Sequence, residues 1–273
     1  MNEIFEHMTW RFIDQSISAN KRSPLESFAI DDTLCHVVGQ NMSASTIRTW
    51  VHHDAVILGI QDHRLPYIQE GMTYLEAQGF EPIVRNSGGL AVVLDAGVLN
   101  ISLVLSEQDK KISINEGFEF MVEFIRRLLP EVADKIDVYE IVGSYCPGTF
   151  DLSIDGQKFA GISQRRMKNG IAVQIYLCVE GNGGARAAMI RDFYQVSLKN
   201  EETKFAYPNV NPAVMASLQE LISPNLTVQT LNMRAQQLVA TIQLNGLNED
   251  ENELYAYYLQ RIFDRNAQML AKK

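Results

Sequence analysis

The chain has 273 residues, 46% of them apolar and 21% charged, a globular composition that excludes wholesale disorder and low-complexity structure. With 24 basic residues against 33 acidic ones the net charge is −9, which argues against a nucleic-acid partner, because phosphate backbones are gripped by cationic surface. No apolar run approaches the roughly 20 residues of a membrane-spanning helix, and the first residues lack the basic start and apolar stretch of a signal peptide, so a cytoplasmic protein is expected.

In chain order, PLESFAIDDTLCHVVGQ (24–40) reads as a helix opened by Pro24, with Gly39 near its end. Short β-prone runs follow at 46–52, 55–60, 81–86, 90–95 and 99–105, and 65–80 between them has helical spacing closed by Gly79. The strongest helix is 114–130, where Phe118, Met121, Val122, Ile125, Leu128 and Leu129 share a stripe and Pro130 ends it. At 150–164, two alternating runs flank Asp155-Gly156, the signal for a two-residue hairpin turn. A strand at 171–181 and a helix at 185–197 come next, and helical segments are expected at 213–222, 228–243 and 253–271. This alternation predicts an α+β fold with a mixed or antiparallel sheet and a helical C-terminal segment packed on the main body.

Three cysteines far apart in sequence make neither a disulfide framework nor a zinc spacing. Cys146 lies in GSYCPGTFD (143–151), where Pro147-Gly148 turns the chain between strand-like stretches. A thiolate is nucleophilic and a thioester is a good acyl carrier, so Cys146 is a candidate nucleophile; a small, inert core cysteine fits the same residues. Cys35, in mid-helix, and Cys178, in an apolar strand, read as packing residues. In VRNSGGLAVVLD (84–95), Arg85 can pair with an anion or a carbonyl oxygen, and Gly88-Gly89 lets the backbone approach a ligand closely. A strand–Gly-Gly–strand hairpin would use the same residues for geometry alone, and a phosphate loop is excluded because no Gly-Lys-Ser/Thr follows. The glycines of EGNGGARA (180–187) read as a turn and helix cap.

Lys158 falls opposite Ser153 in the hairpin, where an ammonium could polarise a carbonyl, act as a base, or face solvent. Cys146 precedes Ser153 by seven residues, about 23 Å if extended, so the loop must fold back to bring the two together. The histidines match no metal spacing. Arg165, Arg166 and Lys168 make a compact basic patch, either a docking surface or a solvated strand end.

Taken in order, TIRTW…AVILG, GFEPIVRNSGGLAVVLDAGVLNISLVL and GSYCPGTFDLSIDGQKFAGISQRR resemble the lipoate–protein ligase and biotin–protein ligase superfamily over about residues 24–200. Within it, the chain is most similar to the octanoyl-[glycine cleavage system H protein]:protein N-octanoyltransferases of Gram-positive bacteria. RNSGG resembles the family's substrate-binding loop, Lys158-Phe159-Ala160-Gly161 its lysine-x-x-glycine motif, and Cys146 its acyl-accepting cysteine. ATP-using relatives carry a second arginine, a third glycine and a histidine where this chain has Asn86, Leu90 and Leu94. Losing a cation and a close-approach glycine argues against holding an adenylate.

The resemblance implies one catalytic domain over 1–273, with the fold of a biotin/lipoate ligase catalytic domain and a helical segment over about 203–273. It implies an amidotransferase that takes an octanoyl (or lipoyl) group from the octanoylated H protein. The acceptors would be lysines of lipoyl domains in 2-oxoacid dehydrogenase acyltransferase subunits. A Cys146 thioester would carry the group, with no nucleotide, metal or other cofactor. Lys158 would orient and polarise the scissile carbonyl, and Arg85, Ser87, Gly88, Gly89 and Gly161 would bind substrate. Val92, Leu103 and Ile162 are candidates for lining an acyl tunnel. Octanoyl-[acyl carrier protein] as donor, ligation of free lipoate with ATP, and a non-catalytic lipoyl-domain binder stand as alternatives.

Overall fold

The computed structural model describes residues 9–17, 22–239, 242–244 and 246–271. Its strands are β1 (Trp10–Gln15), β2 (Thr46–Trp50), β3 (Ala55–Leu58), β4 (Glu81–Val84), β5 (Val92–Leu94) and β6 (Val98–Ser106), then β7 (Asp137–Val138), β8 (Leu152–Ile154), β9 (Gln157–Met167), β10 (Gly170–Cys178) and β11 (Ile242–Leu244). Eight of them form one mixed sheet in the order β11-β1-β2-β6-β10-β9-β8-β7, parallel only where β1 meets β11 and β2. The other three form a small sheet in the order β4-β3-β5.

The helices are α1 (Pro24–Gly39), α2 (Ile68–Ala77), α3 (Ile114–Leu128), α4 (Gly183–Leu198), α5 (Leu218–Leu221), α6 (Val228–Gln237) and α7 (Glu249–Ala271). Local chemistry sets most of their bounds. The Ser23 side chain accepts from the Leu25 amide ahead of Pro24, and Ser113 with Glu116 makes a reciprocal capping box at the start of α3. The stripe on α3 packs with α6 residues on one face of the large sheet. The small sheet shares a second core with α2 and α4. On α1, 14 of 16 residues are buried, because the helix lies between the large sheet and α7. Its Asp31 pairs with Arg48 of β2 at 2.8 Å, and Asp32 with Arg165 of β9 at 2.7 Å.

Two expectations need correcting, and one alternative reading falls. The 84–95 segment is not a hairpin: β4 and β5 both pair with β3, parallel and antiparallel, so the Gly-Gly stretch is a free loop at the end of two strands. The 213–222 segment is a 3₁₀ turn and the single-turn α5, because Lys158 forms a bridge with Met215 and Ser217 caps a new start. The segment read as a helix over 228–243 stops at Gln237, and β11 pairs with β1 in register Trp10↔Ile242. Strand β1 itself escapes sequence reading because Arg11, which breaks its apolar run, is buried against Glu251 of α7 at 2.5 Å. No helix among the described residues is long and apolar enough to cross a membrane.

Candidate active site

Between the two sheets lies a cavity of about 280 Å³. Trp50, Asn100, Gln174 and Tyr176 come from the large sheet, Ile57, Val92 and Leu94 from the small one, and Phe28 from α1. Two loops close one end: Arg85, Ser87, Gly88 and Gly89 after β4, and Cys146, Pro147 and Gly148 before β8. The lining is mainly aliphatic and aromatic with a few polar groups, which suits a short acyl chain.

Cys146 is the reactive candidate. Its backbone is left-handed at φ 48, a conformation that costs an L residue about 1–2 kcal/mol and recurs where side chains are aimed for function. The sulfur is partly exposed and accepts from the Leu90 amide at 3.1 Å and from Arg85 Nη2 at 3.4 Å. The same Nη2 donates to the Leu90 carbonyl at 2.5 Å, so the guanidinium fastens its own loop while facing the thiol. Gly89 makes this approach possible: at φ 103, a Cβ there would lie 2.2 Å from Arg85 Nη2 and 3.0 Å from the sulfur. Nothing comes within 4 Å of a Cβ built on Gly88.

The Asp155-Gly156 turn is the two-residue hairpin expected, with both φ values positive at 51 and 76. It pairs Ser153 with Lys158, and the register shifts by one residue only beyond that pair, between Ser153 and Leu152. Both faces of the strand are covered here, and Lys158 is fully buried beneath the loop that carries Cys146. Its ammonium contacts Asp151 Oδ1 at 2.9 Å, the Cys146 carbonyl at 2.9 Å, and Ser144 Oγ and the Tyr145 carbonyl at 3.2 Å. Three N–H groups thus face four acceptors, and the lysine binds the back of the cysteine loop rather than an open substrate position. Asp151 completes the clamp by accepting from the Ile141 and Gly148 amides at 3.2 Å, and burial raises its carboxyl above the ordinary range.

Gly161 leaves room for the Tyr176 ring, since a Cβ there would meet its edge at 2.8 Å. The Ser87 hydroxyl, in the cavity wall, has no hydrogen-bond partner among the described residues. Val92 and Ile162 line the cavity, whereas Leu103 is a core residue on the opposite face of the sheet. Cys35 and Cys178 are fully buried, and burial pushes both thiols up. The basic patch does not form: Arg165 turns to Asp32, Arg166 to Glu107 at 3.2 Å, and only Lys168 is left exposed in the β9–β10 turn. Adjacent strand residues face opposite ways, which is why the cluster separates. Among the described residues, no group of His, Cys, Asp or Glu side chains is placed to hold a metal ion.

Sequence reasoning missed two supports of this site. Asp62, fully buried in a 3₁₀ turn, accepts from the Gly59 amide at 2.7 Å and the Tyr194 hydroxyl at 2.8 Å, and burial raises its pKa to about 6. A Cβ on Gly59 would strike the Gly89 carbonyl, so this turn backs the Gly-Gly loop. From α7, Asn266 accepts the Val84 amide at 3.0 Å and Arg265 donates to the Arg85 carbonyl at 3.1 Å. An Asn-Arg pair on an amphipathic terminal helix carries no local signal of that reach.

Residues 23–240 match the lipoyl protein ligase A/B catalytic domain. A protein of Lysinibacillus sphaericus named octanoyl-[GcvH]:protein N-octanoyltransferase is 60% identical, the alignment covering 100% of this chain and 99% of that one. A protein of Staphylococcus aureus with the same name is 46% identical over 98% of this chain and 97% of its own. Among solved structures, a lipoate-protein ligase A bound with ATP superposes with a TM-score of 0.68 at 17% identity, covering 93% of this chain and 95% of that one. The archaeal bipartite lipoate protein ligase of Thermoplasma acidophilum gives 0.67 at 17% identity, covering 98% and 99%. These two likenesses bear on the fold, and the α+β architecture is theirs.

Proposed function

The chain belongs to the lipoyl protein ligase A/B catalytic domain family, and from that premise we propose that it is an octanoyltransferase acting through Cys146. It takes an octanoyl group from the H protein of the glycine cleavage system and passes it to lysines of lipoyl domains in 2-oxoacid dehydrogenase acyltransferase subunits. A cytoplasmic location belongs to the same reading. One observation carries it: in a chain 60% identical to a protein with that transferase name, a thiol with two N–H donors aimed at its sulfur sits at the wall of an acyl-sized cavity.

The Cys146 sulfur attacks the carbonyl carbon of the octanoyl-lysine amide. A C–S bond forms, the C–N bond breaks, and the departing lysine nitrogen takes up a proton. An unprotonated acceptor lysine then attacks the thioester, a new amide forms, and the sulfur leaves. One lysine amide replaces another, so the exchange is near neutral overall and needs no nucleotide. With an amide donor the acyl-enzyme is sparse, because a thioester lies uphill of an amide; with a thioester donor it accumulates. Lys158 and Asp151 act by holding the loop that carries Cys146, a role supported by the ammonium's full set of acceptors. Asn86, which donates to Asp32 at 3.1 Å, and Leu90, whose amide serves the sulfur, occupy positions where a nucleotide-using ligase carries groups suited to an adenylate. The whole chain works as one catalytic domain, because α7 fastens the strand end that carries Arg85.

The test mixes the protein with octanoylated H protein and an unmodified lipoyl domain, without nucleotide, and follows intact masses alongside a Cys146→Ala variant. Movement of the octanoyl mass with the unaltered protein alone supports the proposal. No movement from the H protein, but transfer from octanoyl-[acyl carrier protein], would reassign the donor. Full transfer by Cys146→Ala would remove the acyl-enzyme.

A further inference from the structure

Arg85 is nearly buried, at 7% exposure, yet no carboxylate of the described residues lies in ion-pair range of it. The other cations around the cavity are matched: Lys158 with Asp151, Arg48 with Asp31, Arg165 with Asp32 and Arg186 with Asp95. Asp62 feels the Arg85 charge only from a distance, and its oxygens are engaged by Gly59 and Tyr194. A guanidinium taken out of water without a counter-ion is strongly destabilising, so sequences rarely keep one without a use. Besides the Leu90 carbonyl, the acceptor Arg85 reaches is the Cys146 sulfur, which also receives the Leu90 amide.

We propose that Arg85 is a catalytic residue whose counter-ion is the Cys146 thiolate: the resting site holds a guanidinium–thiolate pair, and substrate meets a sulfur that is already charged. The inference deepens the acyl-enzyme reading and rests on it. In the first half-reaction the sulfur gives up its charge to form the C–S bond, negative charge passes to the carbonyl oxygen, and the C–N bond breaks as the departing amine takes a proton from water. In the second half-reaction the acceptor amine forms the new C–N bond and loses a proton to water, the C–S bond breaks, the electron pair returns to sulfur, and Arg85 stabilises the leaving thiolate. Both halves therefore use the same cation. Gly89 is explained by the same pair, since a methyl group there would stand between the guanidinium and the sulfur. Leu90 is explained too: a backbone amide at this point donates to sulfur whatever its side chain, and the buried leucine keeps water from competing.

The experiment alkylates the full-length protein with iodoacetamide and follows the mass of the Cys146 adduct. Cys35 and Cys178 are fully buried and do not compete. At pH 7 an unassisted thiol is only a few per cent thiolate, so Arg85→Gln is expected to slow alkylation roughly tenfold, with Arg85→Lys recovering part of the rate. At pH 10, where hydroxide removes the thiol proton unaided, the Arg85→Gln and parent rates converge if the arginine acts on charge. Equal alkylation rates at pH 7 overturn the proposal, and a raised KM for the acyl donor alone would then assign Arg85 to substrate. A deficit that persists undiminished at pH 10 also overturns it, because it marks a collapsed loop. These readings need no acyl donor, so they stand apart from the Cys146→Ala transfer assay: the acyl-enzyme can fail there while the ion pair is judged here.

Discussion

Replacing Lys158 by Met keeps an unbranched side chain one atom shorter and removes its charge. Because the ammonium is fully buried and 2.9 Å from Asp151, the variant strands a carboxylate in the core and frees the Ser144 hydroxyl and the Tyr145 and Cys146 carbonyls. Breaking such a pair from one side costs about 3–5 kcal/mol. Against a total stability of roughly 5–15 kcal/mol the variant stays folded. At roughly 2–4 °C per kcal/mol for a chain of this size, its melting temperature falls by about 6–20 °C. Burial already raises the Asp151 carboxyl while Lys158 opposes that rise; without the lysine it rises further. The sign follows: the variant's native state binds a proton that the unfolded chain releases, so its deficit is smallest in acid and grows as pH rises towards neutrality. The double variant Asp151→Asn/Lys158→Met removes both charges, and an Asn oxygen still accepts the Ile141 or Gly148 amide, so it should recover at least about 2 kcal/mol of the loss. Urea unfolding at pH 5 and pH 7 on the three proteins measures this. A single-variant loss below about 1 kcal/mol, or a double variant no better than the single, would refute the view that this pair fastens the cysteine loop.

Gly89→Ala should abolish octanoyl transfer and slow alkylation of Cys146, since its Cβ has 2.2 Å to Arg85 and φ 103 strains it, whereas Gly88→Ala, with open space around it, should unfold at the parent temperature; differential scanning fluorimetry with the transfer assay separates them. Asp62, raised by burial to about 6, makes the parent lose about 2 kcal/mol as pH climbs from 4 to 6, because the native state holds a proton that the unfolded state gives up; Asp62→Asn should remove that part of the profile, and an unchanged difference in unfolding free energy between pH 4 and pH 7 would sink the idea. Val92→Phe narrows the cavity from the small sheet, so octanoyl transfer should fall at least tenfold while butanoyl transfer from a matched donor survives; equal losses for both chains would mean that the acyl group lies elsewhere. Asn266→Ala leaves the Val84 amide without its acceptor and should cost about 1–3 kcal/mol, with a slower alkylation of Cys146, read by urea unfolding and mass spectrometry.

What could be read from the sequence is what neighbours within a few residues decide. Asp155-Gly156 forced the left-handed pair of a tight turn, Pro130 closed the apolar stripe of α3, and the order of the RNSGG, Cys-Pro-Gly and lysine-x-x-glycine segments pointed to the family. Which face a residue takes was less accessible. Alternation along β9 leaves Lys158 free to face either way, and the fold-back of the 144–151 loop onto it buried it. The same rule explains why the neighbours Arg165 and Arg166, which with Lys168 look like one patch, part company on a strand. Only the tertiary structure decided the pairings that define the site. Arg85 meets Cys146 across 61 residues, Asn266 reaches Val84 across 182, and Arg11 is neutralised by Glu251 across 240. No local propensity encodes those distances, because a buried charge or amide is satisfied by whatever partner the packed sheets and helices bring to it.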